Sequence, residues 1–333
     1  MIPVADASQV GEARRAVGSL SAQMGIDEEA AGRVAIVVTE LAANVAHHGR
    51  GGQLLVRCIA NRTGIEVIAI DKGPGMADLG RAMRDGYSTG GTAGKGLGAV
   101  RRMSDDFDVY THAGEGTAVV ARMHRLRDGA PPAPRVRLGV INVAAPGELV
   151  CGDGHAVLEG ARGVAMLVVD GLGHGPSAHQ AAVAAVDAAE RSPRLAPGEY
   201  IDAIHRVLKS TRGAAVAVAQ LDEAAGQITF AGVGNISCVV VDGDGNHSMP
   251  SMNGTVGHEM RRIQEFQTPF PPGAMMLMHS DGIQTRWRLD HYPGIRPRDP
   301  SLAGAVIFRD YLRGRDDATI VTMCSRTPGE PRP

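Results

Sequence analysis

A proline-rich break near the middle of the sequence most constrains how this chain can fold. Residues 127–135 (RDGAPPAPR) place three prolines in a short polar stretch without hydrophobic periodicity, which is the composition of a semi-rigid linker. The chain has 333 residues, and a typical domain has roughly 150. The sequence therefore predicts two domains, residues 1–126 and 136–333, joined by this linker.

Charge and aromatic content exclude several classes of function. Lys and Arg number 34 and Asp and Glu 36, a net charge of −2, so no strong basic field exists to hold a nucleic acid. The 1 Trp, 5 Tyr and 5 Phe are too few for the stacking platform of a single-strand binder. No apolar run is long enough to span a membrane, and four scattered cysteines without a CxxC pair favour a reducing compartment. We expect a cytoplasmic protein that binds neither nucleic acid nor membrane.

The first domain combines two amphipathic helices with several strands. Apolar residues recur at helical spacing over residues 10–24 and 34–45, and Asp27 is the expected N-cap of the second helix. Strands are predicted at 53–60, 65–70, 107–112 and 117–123. This order favours an α/β fold with the helices layered on one mixed sheet.

The second domain is richer in short strands. They are predicted at 137–144, 155–159, 163–169, 214–221, 227–231, 237–241, 274–279 and 318–323. Helical patterns occupy 176–190, 199–209 and 301–312. Strands grouped in hairpins, with helices between the groups, indicate sheets packed face to face with helices outside.

Three segments of the first domain suggest a nucleotide site. Glu40 and Asn44 stand at i and i+4 on the polar side of the second helix, although a solvated helix face would show the same stripe. Asp71-Lys72-Gly73-Pro74-Gly75 follows directly on an apolar strand, where glycines let a ligand approach the backbone. Residues 90–98 (GGTAGKGLG) lead into a helix and can aim backbone N–H groups at phosphates. This loop matches neither a Walker P-loop nor a dinucleotide fingerprint.

In chain order, Glu40-x-x-x-Asn44, Asp71-x-Gly73-x-Gly75 and Gly94-Lys95-Gly96-x-Gly98 resemble the N, G1 and G2 boxes of GHKL ATPases, most closely those of anti-sigma-factor serine kinases. The resemblance covers roughly residues 10–124 and implies a two-layer α/β sandwich that binds ATP and Mg²⁺. It makes Glu40 the general base, Asn44 the Mg²⁺ ligand and Asp71 the partner of the adenine amino group. The nucleotide-binding residues that it implies are Asn44, Asp71, Gly73, Gly75, Gly94, Lys95, Gly96, Gly98 and Thr117.

Four acidic positions in the second domain stand next to glycine or next to another acidic residue, and all but Asp153 lie where an apolar strand begins or ends. They are Asp153 within Gly152-Asp153-Gly154, Asp170 before Gly171, Asp281 before Gly282, and Asp316 before Asp317. One Asp-Gly pair is most simply a turn. A carboxylate at the end of a buried strand is nevertheless costly unless it is hydrated or bound to a cation. Carboxylates that converge from several strand ends suit a pair of Mg²⁺ or Mn²⁺ ions.

The run Asp170-Gly171-Leu172-Gly173-His174-Gly175, with His279-Ser280-Asp281-Gly282 and Asp316-Asp317-Ala318-Thr319, resembles the metal-dependent PPM serine/threonine phosphatases of the bacterial sporulation and stress-regulator branch. The resemblance covers about residues 136–324 and implies a β-sandwich flanked by helices. The metal ligands that it implies are Asp153, Asp170, Gly171 through its carbonyl, Asp281 and Asp316. The metal pair would activate a water for attack on a phosphoserine or phosphothreonine.

Two further assignments concern the surroundings of that metal site. His174 either protonates the leaving group or shapes its loop. Trp287, with Arg286 and Arg288, is expected to form a flap that faces the substrate. No covalent nucleophile is needed, so neither Ser280 nor any cysteine receives a role.

Together the resemblances imply a bifunctional bacterial signalling enzyme, an ATP-dependent serine/threonine kinase joined to a Mn²⁺- or Mg²⁺-dependent phosphatase. They imply a STAS-type anti-sigma antagonist, or a related regulatory protein, as partner. The alternative is a first domain that only binds ATP and a partner and thereby gates the phosphatase. The sequence leaves open whether the chain forms a homodimer.

Overall fold

The computed structural model describes residues 1–59, 64–83, 96–124, 136–192, 194–260 and 262–325. They form two compact units, one containing the described residues up to His124 and the other those from Val136 onward. The linker predicted at 127–135 lies outside the described residues. The domain boundaries drawn from the sequence stay a prediction.

The first unit is a two-layer α/β sandwich. Its elements are β1 (Ile2–Val4), α1 (Ser8–Gln23), α2 (Glu28–His47), β2 (Gly52–Cys58), β3 (Gly64–Asp71), α3 (Leu79–Ala82), α4 (Gly96–Met103), β4 (Asp106–Thr111) and β5 (Thr117–His124). The strands form one sheet in the order β1-β2-β3-β5-β4. Val38 and Leu41 of α2 pack in one core with Leu54, Val67 and Val119 of the sheet, so burial of these side chains holds α2 against the strands.

The predicted N-cap of α2 is confirmed. The Asp27 carboxylate accepts a hydrogen bond from the backbone N–H of Ala30 at 2.8 Å, and Glu28 and Glu29 add negative charge to the first turn. Such a cap contributes about 1 kcal/mol, and acidic residues at this end favour the helix dipole. The beginning of the helix that carries Glu40 and Asn44 is therefore well defined.

The prediction of a mixed sheet in this unit is wrong. Every pairing among its described strands is antiparallel. The reason is topological, because β5 inserts between β3 and β4. Strand β4, which would otherwise lie beside β3, therefore lies at the edge of the sheet.

The second unit has two antiparallel sheets with helices outside them, as predicted. Its elements are β6 (Val136–Val143), β7 (Asp153–Glu159), β8 (Val164–Gly171), α5 (Pro176–Glu190), α6 (Pro197–Leu208), β9 (Ala214–Asp222), β10 (Gln227–Val233), β11 (Ser237–Val241), β12 (Asn246–Met249), β13 (Phe266–Pro269), β14 (Met275–His279), α7 (Pro300–Tyr311) and β15 (Ala318–Ser325). The sheet orders are β13-β10-β9-β8-β7 and β12-β11-β14-β15-β6.

The core of this unit lies between the two sheets. Met166 and Val168 of one sheet pack with Met276, Met278 and Val321 of the other. Helices α5 and α6 cover the outer face of the first sheet, and α7 packs against β6 and β15. This layering buries β8, β14 and β15, so the residues at their ends are held on rigid elements.

Strands β1, β12 and β13 were not predicted from the sequence. Each lies at the edge of its sheet, is short, and carries little of the apolar alternation that marks a half-buried strand. Within the part of the chain that the structure describes, no helix combines the length and apolar character that a bilayer crossing requires.

Candidate functional site

Asp71, the last residue of β3, has its carboxylate held by two backbone donors. Its Oδ1 accepts hydrogen bonds from the N–H of Gly73 at 2.8 Å and of Thr117 at 3.2 Å. The strand register places Thr117 directly opposite Asp71. Asp71 and Thr117, both assigned to the nucleotide site, therefore lie opposite each other on neighbouring strands, and the Thr117 N–H helps to fix the Asp71 carboxylate.

The glycines that follow Asp71 have a packing role of their own. A Cβ atom on Gly73 would lie 2.6 Å from the carbonyl oxygen of His48, and one on Gly75 would collide with the carbonyl oxygen of His112. Gly75 also has a φ of +64°, which disfavours other residues. These contacts hold the loop in place, and the predicted approach of base and ribose here stays a proposal.

Helix α2 brings its polar residues to the same end of the sheet. Glu40 and Asn44 are half-buried one turn apart, and the Asn44 carbonyl accepts the N–H of His48 at 2.9 Å at the end of the helix. A Cβ on Gly49 would lie 2.6 Å from the Cβ of Asp71. The end of α2 therefore lies against Asp71.

The phosphate lid assigned from the sequence is described only in part. Gly96 begins α4 and Gly98 is buried within it, and α4 packs against α2. Gly94 and Lys95 lie outside the described residues. The structure thus places the helix onto which the predicted lid leads.

In the second unit, two predicted metal ligands face each other. Asp153 on β7 and Asp170 on β8 are direct partners in the antiparallel register, and only 5% of Asp153 is exposed. Burial raises the pKa of Asp153 to about 7. Burial, followed by the negative charge of Asp153, Asp281 and Asp316, raises the pKa of Asp170 to about 8. When both carboxylates are ionised they repel each other, and burial leaves little water to screen their charges.

The other two carboxylates belong to the same cluster. Burial, and next the charge of Asp316, raise the pKa of Asp281. The side-chain amide of Asn235 donates a hydrogen bond to Asp281 Oδ2 at 2.9 Å. We call Asp153, Asp170, Asp281 and Asp316 the carboxylate cluster. Chain segments far apart in the sequence supply its four charges.

The donor atoms of this cluster fit divalent cations. Carboxylate oxygens and a backbone carbonyl such as that of Gly171 are the hard ligands that Mg²⁺ and Mn²⁺ prefer. Beside the cluster, Asp317 Oδ1 accepts the N–H of Ala145 at 2.9 Å, while its buried Oδ2 has no hydrogen-bond partner among the described residues. No three described His, Cys, Asp or Glu side chains already converge closely enough to enclose an ion. The assignment of individual ligands stays a proposal.

A buried hydrogen-bond chain positions Asp153. The Ser280 hydroxyl donates to Asp153 Oδ2 at 2.6 Å and accepts the N–H of Thr319 at 2.9 Å. The Asn142 amide donates to Thr319 Oγ1 at 2.8 Å and to the Asp153 carbonyl at 3.2 Å. Sequence reasoning gave Ser280 no role and missed Asn142. The signal that could have identified Asn142 is a lone amide near the end of the apolar strand VRLGVINV.

The flap predicted around Trp287 is wrong for Trp287 and Arg288. Trp287 is buried, and its Nε1–H donates to His279 Nε2 at 3.0 Å, so His279 Nδ1 donates to the Ser280 carbonyl at 2.8 Å. Burial lowers the pKa of His279 to about 4, which keeps the ring neutral. Arg288 is paired with Asp290 at 2.7 Å. The indole is large and apolar, so it packs inside and supports the strand end from behind.

His174 is held by a neighbouring carboxylate. Its Nδ1 lies 2.6 Å from Glu148 Oε1. The hydrogen bond and the charge of Glu148 raise the pKa of His174, and Asp316 and Asp317 add to the shift. This side chain is exposed, and the charges of Asp316 and Asp317 act on it, so the imidazole lies near the carboxylate cluster and open to solvent. Either role considered for His174 fits this position.

Comparisons with known proteins match the two halves of the chain separately. The model of the histidine kinase-like ATPase domain matches residues 4–123, and that of stage II sporulation protein E (SpoIIE) matches residues 160–297. The serine/threonine-protein kinase RsbT of Bacillus subtilis (strain 168) is 35% identical over 111 residues, which are 33% of this chain and 84% of RsbT.

Two solved structures share the fold. One comes from work on the bacterial stressosome as a modular system adapted to control secondary messenger signalling. Its TM-score is 0.53 at 28% identity, over 56% of this chain and 98% of that one. The other contains the RsbU and RsbW domains of Rv1364c from Mycobacterium tuberculosis, with a TM-score of 0.51 at 21% identity over 61% of this chain and 64% of that one. The second likeness concerns the fold alone.

Proposed function

Because this chain belongs to the RsbT family of histidine kinase-like ATPases and also carries a SpoIIE-type PPM phosphatase domain, we propose that it is a bifunctional signalling enzyme. The first domain transfers phosphate from ATP to a serine or threonine of a partner protein. The second removes phosphate from phosphoserine or phosphothreonine. The carboxylate cluster is the observation that carries this proposal, because Asp153 and Asp170 face each other across neighbouring strands and burial, followed by the charge of nearby carboxylates, raises the pKa of both.

In the phosphatase, we assign the four carboxylates of the cluster and the Gly171 carbonyl to Mg²⁺ or Mn²⁺. Two such ions supply a nucleophilic water near neutral pH and neutralise charge on the phosphoryl oxygens. Ser280 holds the Asp153 carboxylate in one orientation. His174, fixed by Glu148, holds a proton where the serine oxygen of the substrate leaves. Burial raises the pKa of Cys151, so its thiol stays protonated and is no nucleophile.

In the kinase, we assign ATP to the end of the sheet where Asp71 lies. The two N–H groups on Oδ1 hold the Asp71 carboxylate in one orientation, as an acceptor for the adenine amino group. Asn44 would hold Mg²⁺, and Glu40, one turn earlier on α2, would accept the proton of the attacking hydroxyl. Phosphoryl transfer needs mainly positioning and charge neutralisation. A carboxylate at position 40 therefore favours transfer over ATP binding alone.

The partner that we propose is a STAS-type anti-sigma antagonist or a related regulatory protein. The resemblance of the first domain to anti-sigma-factor kinases, and its 35% identity to RsbT, support this class. The SpoIIE-type second domain then acts on a phosphoprotein of the same signalling class.

The test uses the full chain, labelled ATP and purified STAS-type proteins. We expect label on a partner serine or threonine, and Mn²⁺-dependent release of that label. Glu40→Gln should abolish transfer and retain ATP binding, while Asp281→Asn should abolish release only. Glu12→Gln and Asp202→Asn, both at exposed helix positions, are the matched controls and should behave as the wild type.

Each half of the proposal has its own contradicting result. Undiminished transfer by Glu40→Gln would refute Glu40 as the base. ATP binding that changes phosphate release, without transfer to any partner, would establish the gating alternative. Full release by Asp281→Asn would refute the metal assignment.

A further inference from the structure

A positively charged cleft lies beside the carboxylate cluster and has no part in the chemistry above. Gln284, Thr285, Arg286, Arg313 and Arg315 line an open cavity of about 480 Å³. The three arginines are exposed, and the other two lining residues are polar. A cavity of this size accommodates several side-chain groups, and its lining offers cationic and neutral hydrogen-bond donors.

Backbone contacts between two chain segments fix the shape of the cleft. Ile283, which is fully buried, forms an antiparallel bridge with Leu312. The N–H of Gln284 donates to the carbonyl of Tyr311 at 2.9 Å, and the N–H of Arg313 donates to the carbonyl of the residue after Asp281 at 2.8 Å. The cleft is therefore built on a paired scaffold, which favours a preformed site.

Among the described residues, the arginines of the cleft lack side-chain partners, unlike three other exposed arginines of this unit. Within the described ranges, the side chains of Arg286, Arg313 and Arg315 form no hydrogen bond or ion pair. Arg191, Arg194 and Arg288, by contrast, are paired with Asp187, Glu159 and Asp290. An unpaired guanidinium presents a planar fork of donors that matches a carboxylate. Three of them on one cleft form an anion-binding surface.

The cleft is also close to the reaction centre. One of its segments follows Asp281 and the other leads into Asp316. The positive charges of Arg313 and Arg315 lower the pKa of Asp281, against the larger effects of burial and Asp316. An extended peptide advances roughly 3.3 Å per residue. Residues that flank a phosphoserine held at the cluster therefore come within reach of the cleft.

We propose that this cleft is a subsite for the carboxylate side chains that flank the phosphorylated residue of the protein substrate. The inference rests on the proposed phosphatase function and narrows its substrates to phosphorylated residues within acidic segments. A peptide meets the charge pattern, because its acidic side chains reach the arginines while its single phosphate reaches the cations that we assign to the cluster. A polynucleotide meets it poorly, since its continuous row of phosphates would run past Asp281 and Asp316.

The first test measures binding without turnover. Two labelled peptides of equal length that carry a non-hydrolysable phosphoserine analogue, one flanked by Asp and Glu and the other by Asn and Gln, are titrated with the full chain in Mn²⁺ at low salt. We expect about tenfold tighter binding of the acidic peptide, from charge-assisted hydrogen bonds. The triple variant Arg286→Gln, Arg313→Gln, Arg315→Gln should reduce this preference below about twofold.

A matched control separates the cleft from overall charge. The triple variant Arg191→Gln, Arg194→Gln, Arg288→Gln loses the same three charges outside the cleft and should keep the wild-type preference. Equal binding of the two peptides by the wild type, or an equal loss in both triple variants, would overturn the proposal. Displacement of the acidic peptide by an oligonucleotide at lower concentration would also overturn it.

The second test measures hydrolysis with Mn²⁺. We expect the acidic peptide to have the lower KM at similar kcat, and the cleft variant to lose this difference in KM. A difference confined to kcat would overturn the subsite. If the binding preference is present but neither the peptides nor p-nitrophenyl phosphate are hydrolysed with Mn²⁺, the phosphatase function fails and the anion subsite stands.

Discussion

The two units place carboxylates at strand ends in opposite ways. At the end of β3, backbone N–H groups of Gly73 and Thr117 satisfy one oxygen of the Asp71 carboxylate. Asp153, Asp170 and Asp281 are crowded together, and burial with mutual repulsion raises the pKa of each. A carboxylate satisfied by backbone donors suits recognition of a neutral group, whereas a crowded cluster calls for cations or protons. The roles that we propose for the aspartates follow this difference: ATP binding in the first unit and metal binding in the second.

The largest expected effect is the loss of catalysis when the cluster loses one charge. Asp170→Asn keeps the side-chain shape and removes a proposed metal ligand, so Mn²⁺-dependent hydrolysis of a phosphoserine peptide should fall by about 10²–10³-fold. Asp202→Asn, at an exposed position of α6, should leave the rate unchanged. Wild-type turnover by Asp170→Asn would remove that residue from the metal site.

Removing the Asp71 carboxylate should affect ATP binding instead. Asp71→Asn replaces an ionised acceptor of two backbone N–H groups by a neutral amide, and hydrogen bonds to charged groups contribute about 1.5–3 kcal/mol. We therefore expect ATP affinity, measured by calorimetry, to fall by roughly 10- to 100-fold, with phosphatase activity retained. Unchanged ATP affinity would contradict the role of Asp71.

The cluster should also make metal-free stability depend on pH in an unusual direction. The folded-state pKa values of about 7 for Asp153 and about 8 for Asp170 lie above the ordinary 3.8, so the native state binds more protons than the unfolded state between these limits. The free energy of unfolding should then fall by several kcal/mol as the pH rises from about 5 to about 8.

Denaturant unfolding in EDTA at several pH values measures this trend. Saturating Mn²⁺ should flatten it, because the cation replaces the protons. Asp170→Asn should reduce it, because one repelling charge is gone. A stability that rises with pH over this range would show that the cluster is not strained by its own charge.

The smallest expected effect concerns the hydrogen bond behind the cluster. Ser280→Ala removes the hydroxyl that donates to Asp153 Oδ2, which should lower the free energy of unfolding by about 1–2 kcal/mol. It should also weaken Mn²⁺ binding roughly tenfold, as is typical of residues that orient metal ligands. Ser248→Ala, at an exposed position of β12, is the control. Equal behaviour of the two variants would exclude an orienting role for Ser280.

What the sequence could predict follows from where each residue packs. The buried strands β8 and β14 carry long apolar runs, and both were predicted, as was α2 with its Asp27 cap. The edge strands β1, β12 and β13 are short and half-exposed, and their pairing depends on neighbours distant in the chain. No local pattern could reveal them.

The same distinction applies to the site. The acidic positions were visible because each stands next to glycine or another acidic residue, and all but Asp153 adjoin an apolar strand in the sequence. The contact of Ser280 with Asp153 spans 127 residues of sequence, and the burial of Trp287 against His279 follows from tertiary packing alone. Hydrogen-bond partners and buried faces are set by the assembled sheets. The sequence therefore reveals the acidic residues of the motifs, but it does not reveal the residues that orient their side chains.

The most direct test of the cation-binding carboxylate cluster is a calorimetric titration of Mn²⁺ into the full chain without nucleotide near pH 7.5. We predict two Mn²⁺ ions bound per chain with release of protons, because the pKa values of Asp153 and Asp170 lie near this pH, and loss of this binding in Asp170→Asn. Absence of Mn²⁺ binding by the wild type, or the same binding by the variant, would contradict the account.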